Sequence, residues 1–129
     1  MVAKIYKRTD ASRDVHYQDK LLLSVISPDA IEDLPVYFNE QRDELVRKSR
    51  RAERDTIYCA SLALLADEER DIETFLKAVK SRGHKLVCVE ESLTWSGGKP
   101  IGIVVAQWKE ASLLILGCSA QLCLFCSFT

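Results

Sequence analysis

A strand–helix–strand unit over residues 55–91 constrains the fold more than any other part of the sequence. Residues 55–61 are rich in the β-branched and aromatic side chains that are typical of a strand, and a second strand is predicted over residues 84–90. Between them, four apolar residues follow a 3.6-residue period: Ile72, Phe75, Leu76 and Val79. Gly83 then supplies the residue that favours a left-handed helix end. Because such units almost always form right-handed parallel crossovers, the sequence predicts an α/β fold with a buried parallel sheet.

Turn residues and hydropathy divide the rest of the chain into shorter elements. In order, they are a strand over 2–6, an amphipathic helix over 18–26 that Pro28 stops, a strand over 34–38, a weakly packed surface helix over 39–54, a loop over 92–99 and a final helix from Pro100. We therefore expect one α/β domain with a mostly parallel sheet of four or five strands and a long C-terminal helix.

Length, charge and cysteine content exclude several classes of protein. A chain of 129 residues is long enough for one domain with a substantial core. The net charge of −1 predicts no strong attraction to nucleic acid or membranes, so any DNA contact requires a local basic patch. No apolar signal segment follows Met1, and Gly117 and Ser119 interrupt the longest apolar run, so we expect no membrane span. The odd count of five cysteines favours a reducing compartment, and we expect a cytoplasmic protein.

The loop after the first strand is the first candidate site, because ligands collect at the carboxyl ends of strands in open α/β sheets. Its sequence is Tyr6-Lys7-Arg8-Thr9-Asp10-Ala11-Ser12. A solvated polar loop is the alternative interpretation from local features alone. The first six of these residues resemble the Tyr-x-Arg-Val-Ser-Thr motif with which serine recombinases, the resolvase and invertase group, begin.

Four later segments resemble the same family in the same order. Arg42-Asp43-Glu44-Leu45 resembles the family's Arg-Pro-x-Leu element, and Asp55-Thr56-Ile57-Tyr58 resembles the start of its central strand. Residues 75–90 resemble its Leu-x-x-x-Gly-Val-x-Leu-x-Ser-Leu-x-Glu segment. Lys99-Pro100-Ile101-Gly102 resembles the Thr-Pro-Met-Gly signature that opens the family's long dimerisation helix. The resemblance covers about residues 2–111. It implies a three-layer resolvase-like domain, with an α/β core over 1–98 and a dimerisation helix and apolar tail over 99–129. The family's helix-turn-helix domain is not expected in the chain.

Departures from the family motifs affect the residues that would carry chemistry. In the family, a serine at the position of Asp10 attacks a DNA phosphodiester, and an aspartate and two arginines after the central strand contact the reacting phosphate. Ala63, Leu64 and Asp67 stand at those three positions. Because phosphoryl transfer needs cations beside the charged oxygens, we expect catalysis to be impaired. The candidate catalytic residues that remain for a degenerate or rearranged site are Arg8, Arg42, Asp10 and Ser12.

A basic stretch over residues 42–54 is the candidate DNA-binding surface. The candidate phosphate contacts are Arg42, Arg47, Lys48, Arg50 and Arg51. Acidic residues are interspersed with these cations, and mixed charges are also typical of a solvated, salt-bridged face. Duplex DNA is therefore one predicted partner, and a surface without a ligand is the alternative.

The final helix and tail are unusually apolar, and an apolar face of this length favours burial. The resemblance implies a homodimer through this helix, with an interface that includes Ile101, Val104, Val105, Trp108 and Ile115. Packing of the same face onto its own domain is the alternative. Cys118, Cys123 and Cys126 lie in this region, but a closed zinc site needs four ligands. We therefore predict no metal and no cofactor.

Three functions follow as hypotheses. The leading one is a serine-recombinase-like protein with impaired catalysis, which acts through DNA binding or protein association linked to site-specific recombination. The second is an active recombinase or nicking enzyme with a rearranged site. The third is a cytoplasmic α/β protein-interaction module that is unrelated to DNA.

Overall fold

The computed structural model describes residues 3–9, 15–47 and 55–120, without the side chains of residues 40, 45, 47 and 114–120. Its strands are β1 (Ala3–Lys7), β2 (Val36–Phe38), β3 (Thr56–Cys59), β4 (Lys85–Cys88) and β5 (Leu93–Trp95). These form a sheet of order β2-β1-β3-β4-β5. The first four strands run parallel, and β5 runs antiparallel to β4. The predicted mostly parallel sheet is confirmed.

Helices cover both faces of the sheet and make the domain three-layered. They are α1 (Val15–Leu23), α2 (Pro28–Ile31), α3 (Arg42–Arg47), α4 (Glu69–Arg82) and α5 (Ile101–Ala120). Leu22 of α1 packs with Ile5 of β1 on one face. On the other face, apolar side chains of α3, α4 and α5 pack against Tyr6, Ile57 and Leu86. The alternation of neighbouring strand residues between two cores is what a sheet buried on both faces requires.

The central crossover forms as the sequence predicts. The four apolar residues of α4 are all buried against the sheet: Ile72, Phe75, Leu76 and Val79. Gly83 ends the helix with φ of 75°, in the left-handed region that glycine enters without steric cost. β3 and β4 pair in parallel on either side of this helix in sequence. The period of the apolar residues was therefore sufficient to identify this unit.

The prediction of a loop over 92–99 was wrong, because β5 lies within it. Leu93 and Trp95 are buried and Thr94 is exposed, which is the alternation of a strand with one buried face. The strand has only three residues, so its period is too short to be distinguished from a loop in the sequence. Its edge position also lets it run antiparallel to an otherwise parallel sheet.

Two predicted helices also have different bounds. The helix predicted over 18–26 ends at Leu23, and Pro28 begins α2, where Ser27 Oγ accepts a hydrogen bond from Ala30 N at 3.3 Å. Proline suits the first helical turn because its missing N–H would have no helical partner there. The helix predicted over 39–54 starts with a 3-10 turn over Asn39–Gln41 and continues as α3.

A buried ionic cluster lies at the amino ends of β1 and β3, on the opposite edge from the candidate site. Lys4 Nζ is 2.8 Å from Asp55 Oδ2, and both side chains are buried. The backbone N–H of Asp55 donates to Nδ1 of His84 at 3.1 Å, so this nitrogen carries no proton. His84 is fully buried, and this burial lowers its pKa below the ordinary value.

Among the described helices, none has both the length and the apolar composition needed to cross a membrane. Within the same residues, no group of three or more histidine, cysteine, aspartate or glutamate side chains is placed to hold a metal ion.

Candidate functional site

A cleft of about 330 Å³ lies at the carboxyl ends of β1 and β2. Its lining residues come from the strand ends, α3 and the start of α4: Tyr6, Arg8, Asn39, Arg42, Asp43, Asp67 and Asp71. This is the edge of the sheet where ligands collect in open α/β folds. The cleft brings together Arg8 and Arg42, which lie 34 positions apart in the sequence.

Arg8 follows directly after β1 and is buried. Gln18 of α1 holds its backbone from both sides, because the Arg8 N–H donates to Gln18 Oε1 at 2.9 Å and Gln18 Nε2 donates to the Arg8 carbonyl at 2.6 Å. The guanidinium donates from Nη1 to the carbonyl of Leu64 and from Nη2 to Asp67 Oδ2, each at 3.1 Å. Arg8 therefore connects β1 to the segment that follows β3.

Arg42, the first residue of α3, reaches the same segment from the other side. Its Nη1 donates to the carbonyl of Leu65 at 2.6 Å, and its guanidinium lies 5.9 Å from the centre of the Phe75 ring. Its Nε is 3.5 Å from Asp43 Oδ1, an ion pair with a solvent-exposed partner. The strongest contact of this arginine is thus a charge-assisted hydrogen bond to a buried backbone carbonyl.

Residues 61–66, which connect β3 to α4, are buried throughout. Ser61 Oγ caps a 3-10 turn over Leu62–Leu64, and Glu91 accepts hydrogen bonds from Ser61 Oγ and the Leu62 N–H, each at 2.8 Å. Trp108 of α5 donates from Nε1 to the carbonyl of Ala66 at 3.1 Å. Three consecutive carbonyls, those of residues 64–66, therefore each accept from a side chain of a different element.

Asn39 connects the loops that follow β1 and β2, and the sequence analysis did not single it out. Its side-chain amide accepts from Thr9 N and donates to Thr9 Oγ1, both at 2.9 Å, while its carbonyl accepts from the Tyr6 hydroxyl at 2.9 Å. Its φ of 47° is in the left-handed region, which asparagine tolerates better than most residues. An asparagine directly after a predicted strand was the signal that would have identified it.

The charge balance of the cleft is unfavourable for phosphate. Three aspartates, Asp43, Asp67 and Asp71, line it beside two arginines. The side chains of Asp43 and Asp67 are each 62% exposed, whereas that of Arg8 is only 6% exposed. Carboxylates therefore form much of the accessible rim, and an incoming phosphate would meet them before the guanidinium groups.

The other predicted catalytic and DNA-binding residues are only partly within the described structure. Asp10 and Ser12 lie outside the described residues, as do Lys48, Arg50 and Arg51. Arg47 is the last residue of α3, and its side chain is not described. Of the eight predicted catalytic and DNA-binding positions, the structure therefore locates the side chains of Arg8 and Arg42.

The predicted dimer residues of α5 lie mostly inside the protomer. Val104, Val105 and Trp108 are buried and belong to the main core, and Ile101 packs at its edge. Ile115 is helical, and its side chain is not described. Among the side chains of this helix that the structure describes, the large apolar ones that are exposed are Ile103 at 51% and Leu113 at 66%.

Two cysteines lie side by side at the carboxyl ends of β3 and β4. Cys59 and Cys88 are register partners on β3 and β4, and both are fully buried free thiols. Burial raises the pKa of Cys59 to about 12 and also raises that of Cys88. Since the thiolate is the reactive form, these thiols pack as small apolar groups. Cys118 has no described side chain, and Cys123 and Cys126 lie outside the described residues.

Comparison with solved structures identifies the same fold in two proteins. A resolvase-family site-specific recombinase from Streptococcus pneumoniae superposes with a TM-score of 0.58 at 14% identity, over 95% of this chain and 96% of that one. The N-terminal catalytic domain of TP901-1 integrase superposes with a TM-score of 0.54 at 16% identity, over 95% of this chain and 98% of that one. No family model and no curated protein sequence matches the chain. The resemblance found in the sequence is thus confirmed at the level of the fold, and the chain is a resolvase-like α/β domain.

Proposed function

We propose that the chain is a serine-recombinase-like protein with impaired catalysis, which acts in site-specific recombination by binding DNA or by associating with a second copy. The observation that supports impairment most directly is the engagement of Arg8 and Arg42 by backbone carbonyls of residues 64 and 65. The two similar structures are a site-specific recombinase and the catalytic domain of an integrase, which supports the connection to recombination.

Impaired catalysis follows from where the positive charges of the cleft are directed. A phosphoryl-transfer site needs donors aimed at the oxygens on which charge develops. Arg8 and Arg42 instead aim Nη1 at buried carbonyls, and both have an aspartate as their counterion. Asp67 stands where the family resemblance places an arginine, so the cleft has a negative charge at a position that would need a positive one.

The active-recombinase hypothesis depends on a substitute nucleophile at Ser12 or Thr9. The Oγ1 of Thr9 accepts a hydrogen bond from Asn39 Nδ2 at 2.9 Å, and its backbone N–H is bound by the same side chain. These contacts hold Thr9 in a structural role. They make Thr9 a poor substitute nucleophile, and Ser12, the other candidate, lies outside the described residues.

Association with a second copy is proposed through the exposed face of α5. Val104, Val105 and Trp108 are needed for the protomer's own core, so a partner would meet Ile103 and Leu113 instead. Gly102 lies on the same exposed part of the helix, and a Cβ at this position would have no neighbour within 4 Å, so another backbone can approach closely there.

The test of the DNA-binding role is duplex-DNA affinity across a salt series. We expect binding at low salt that weakens as salt rises, and the variant Arg47→Ala/Arg50→Ala should reduce the log–log slope by roughly two, since each phosphate contact contributes about 0.9. The matched control is Arg70→Ala/Lys77→Ala, which removes the same charge from exposed positions of α4. An absence of binding at low salt, or equal slopes for both variants, would reject the basic stretch as a DNA contact.

Two further measurements separate impairment from activity and test association. Incubation with duplex DNA should give no covalent protein–DNA product, and a covalent adduct at Ser12 or Thr9 would show that the enzyme is active. Sedimentation should show dimers that Ile103→Glu or Leu113→Glu dissociates, with the exposed Val25→Glu as the control for an added charge. Monomers at all concentrations would exclude pairing through α5.

A further inference from the structure

A lysine patch lies at the amino end of β4, at the opposite edge of the sheet from the cleft. It consists of Lys80 of α4, Lys85 at the start of β4 and Lys99 in the loop between β5 and α5, and all three residues are exposed. The antiparallel pairing of Leu86 with Trp95 brings the end of β5, and with it this loop, beside Lys85. Three elements of the fold therefore contribute one cation each to the same surface.

Gly97 in this loop determines where the Lys80 side chain lies. Its φ of 104° is in the region that glycine enters without steric cost, and a Cβ added to it would lie 3.1 Å from Cγ of Lys80 and 3.5 Å from Cδ and Cε. The aliphatic stem of Lys80 therefore packs along the loop, which places its ammonium group at the loop surface. Gly98 is exposed, and a Cβ there would have no neighbour within 4 Å, so its backbone can be approached closely.

The segments that form the lysine patch contain no carboxylate. Residues 74–89 and 92–109 have neither aspartate nor glutamate. The two acids between these segments, Glu90 and Glu91, follow the carboxyl end of β4 and so lie at the other edge of the sheet. Within the described residues, none of the three lysines forms an ion pair. In a chain of net charge −1, the patch is a local region of positive potential.

Stabilisation of a helix end explains only one of the three lysines. Lys80 lies in the last turn of α4, where the negative end of the helix dipole favours a cation. Lys85 belongs to β4 and Lys99 to a loop, so neither is part of that turn. Lys85 does not protect an exposed strand edge either, because β4 is paired on both sides. An anionic partner accounts for all three.

We propose that the lysine patch is a second contact surface for the phosphate backbone of duplex DNA, in addition to the basic stretch over residues 42–54. Lysines and backbone N–H groups are common phosphate contacts in protein–DNA complexes, and they read no sequence. A single-stranded partner would need exposed aromatic side chains for base stacking, whereas Trp95 of the adjoining strand is only 2% exposed. The patch therefore suits a duplex.

The lysine patch adjoins the end of the basic stretch. Asp55 directly follows Arg54, the last cation of that stretch, and its carbonyl accepts a hydrogen bond from the Lys85 N–H at 2.9 Å. DNA bound at the end of the stretch would therefore meet Lys85 next. This inference rests on the proposed DNA-binding role, and it extends the contact to α4, β4 and the loop before α5.

The test is duplex-DNA affinity across a salt series for the variant Lys80→Gln/Lys85→Gln/Lys99→Gln. Glutamine keeps a long polar side chain without the charge, and all three positions are exposed, so thermal melting should show folded protein. We expect the log–log slope of affinity against salt to fall by about 2.7, since each phosphate contact contributes about 0.9.

The control is Lys20→Gln/Arg70→Gln/Lys109→Gln, which removes the same charge from exposed positions elsewhere and should keep the wild-type slope. Equal slopes for the two triple variants would overturn the inference. If Arg47→Ala/Arg50→Ala lowers the slope and the lysine variant does not, the patch is rejected and the proposed DNA-binding role stands. An absence of wild-type binding at low salt would reject both.

Competition with poly-glutamate separates DNA from an acidic protein partner. At equal charge concentration, poly-glutamate should displace little DNA from the wild-type protein, because a duplex carries a phosphate charge every 1.7 Å or so along its axis. Direct binding of poly-glutamate to wild type as tight as that of DNA, and lost in the lysine variant, would identify an acidic polypeptide as the ligand of the patch and overturn the inference.

Discussion

Replacement of Arg42 by alanine tests whether this arginine supports the fold. The substitution removes the donor to the Leu65 carbonyl, which lies in a fully buried residue, and the contact with the Phe75 ring. Alanine is the best helix former, so the change does not disfavour α3 locally. Any loss of stability must therefore come from the lost tertiary contacts.

The expected loss is about 2–4 kcal/mol of unfolding free energy. A hydrogen bond with a charged partner is worth about 1.5–3 kcal/mol, and its loss leaves a buried carbonyl without this donor. The cation–π contact adds about 0.5–1 kcal/mol at a partly exposed site. For a domain of this size, about 3–4 °C of melting temperature corresponds to 1 kcal/mol, so the midpoint should fall by about 6–16 °C.

Thermal and urea unfolding followed by circular dichroism measure this loss. Arg70→Ala is the matched control, because it removes the same charge from an exposed position on α4 and should change stability by less than about 0.5 kcal/mol. Arg42→Lys should fall between the two, since lysine keeps the charge but not the planar guanidinium. If Arg42→Ala unfolds at the same midpoint as Arg70→Ala, the carbonyl contact does not stabilise the fold, and the arginine is available for another role.

Two further predictions concern buried titratable groups. Because burial lowers the pKa of His84, the unfolded state binds more protons than the folded state below about pH 6.5, and the free energy of unfolding should fall from there towards the lower folded-state pKa. The urea midpoints of wild type and His84→Asn should therefore diverge above that pH and converge below it. A constant difference between them from pH 7.5 to 5 would contradict this account. Burial raises the pKa of Cys59 to about 12 and also raises that of Cys88. A thiol reagent at pH 8 should therefore leave both cysteines unmodified in the native protein and modify them in urea, as peptide mass spectrometry would show. Labelling of either cysteine in the native protein at the rate of an unfolded control would mean that β3 or β4 opens.

The parts of the fold that were predictable are those with a long repeated pattern. The crossover from β3 through α4 to β4 was readable because its period extends over several turns and Gly83 marks its end. The three-residue β5 was missed, since alternation over only Leu93, Thr94 and Trp95 is too short to indicate a strand. Pro28 predicts the end of the preceding helix, and in the structure it is also the first residue of α2, because a proline ring disfavours a helix interior and suits a first helical turn.

The candidate site was predictable in its residues but not in their contacts. Motif resemblance and strand order identified Arg8 and Arg42 as neighbours at one edge of the sheet. Their hydrogen bonds to Leu64 and Leu65 involve backbone carbonyls, which every residue carries and no sequence motif marks. For the same reason, the role of Asn39 became visible only when its two loops were placed beside each other.

Local period and residue identity are enough to predict the α/β class, the parallel crossover and the departures from the serine-recombinase motifs. The packing of whole elements shows that Val104, Val105 and Trp108 complete the protomer's own core, and that Arg8 and Arg42 bind the carbonyls of Leu64 and Leu65. An apolar helix face shows in the sequence that it must be buried, but its partner is chosen by the relative positions of whole elements. A guanidinium likewise pairs with whichever acceptor the fold brings within reach, however distant it is along the chain.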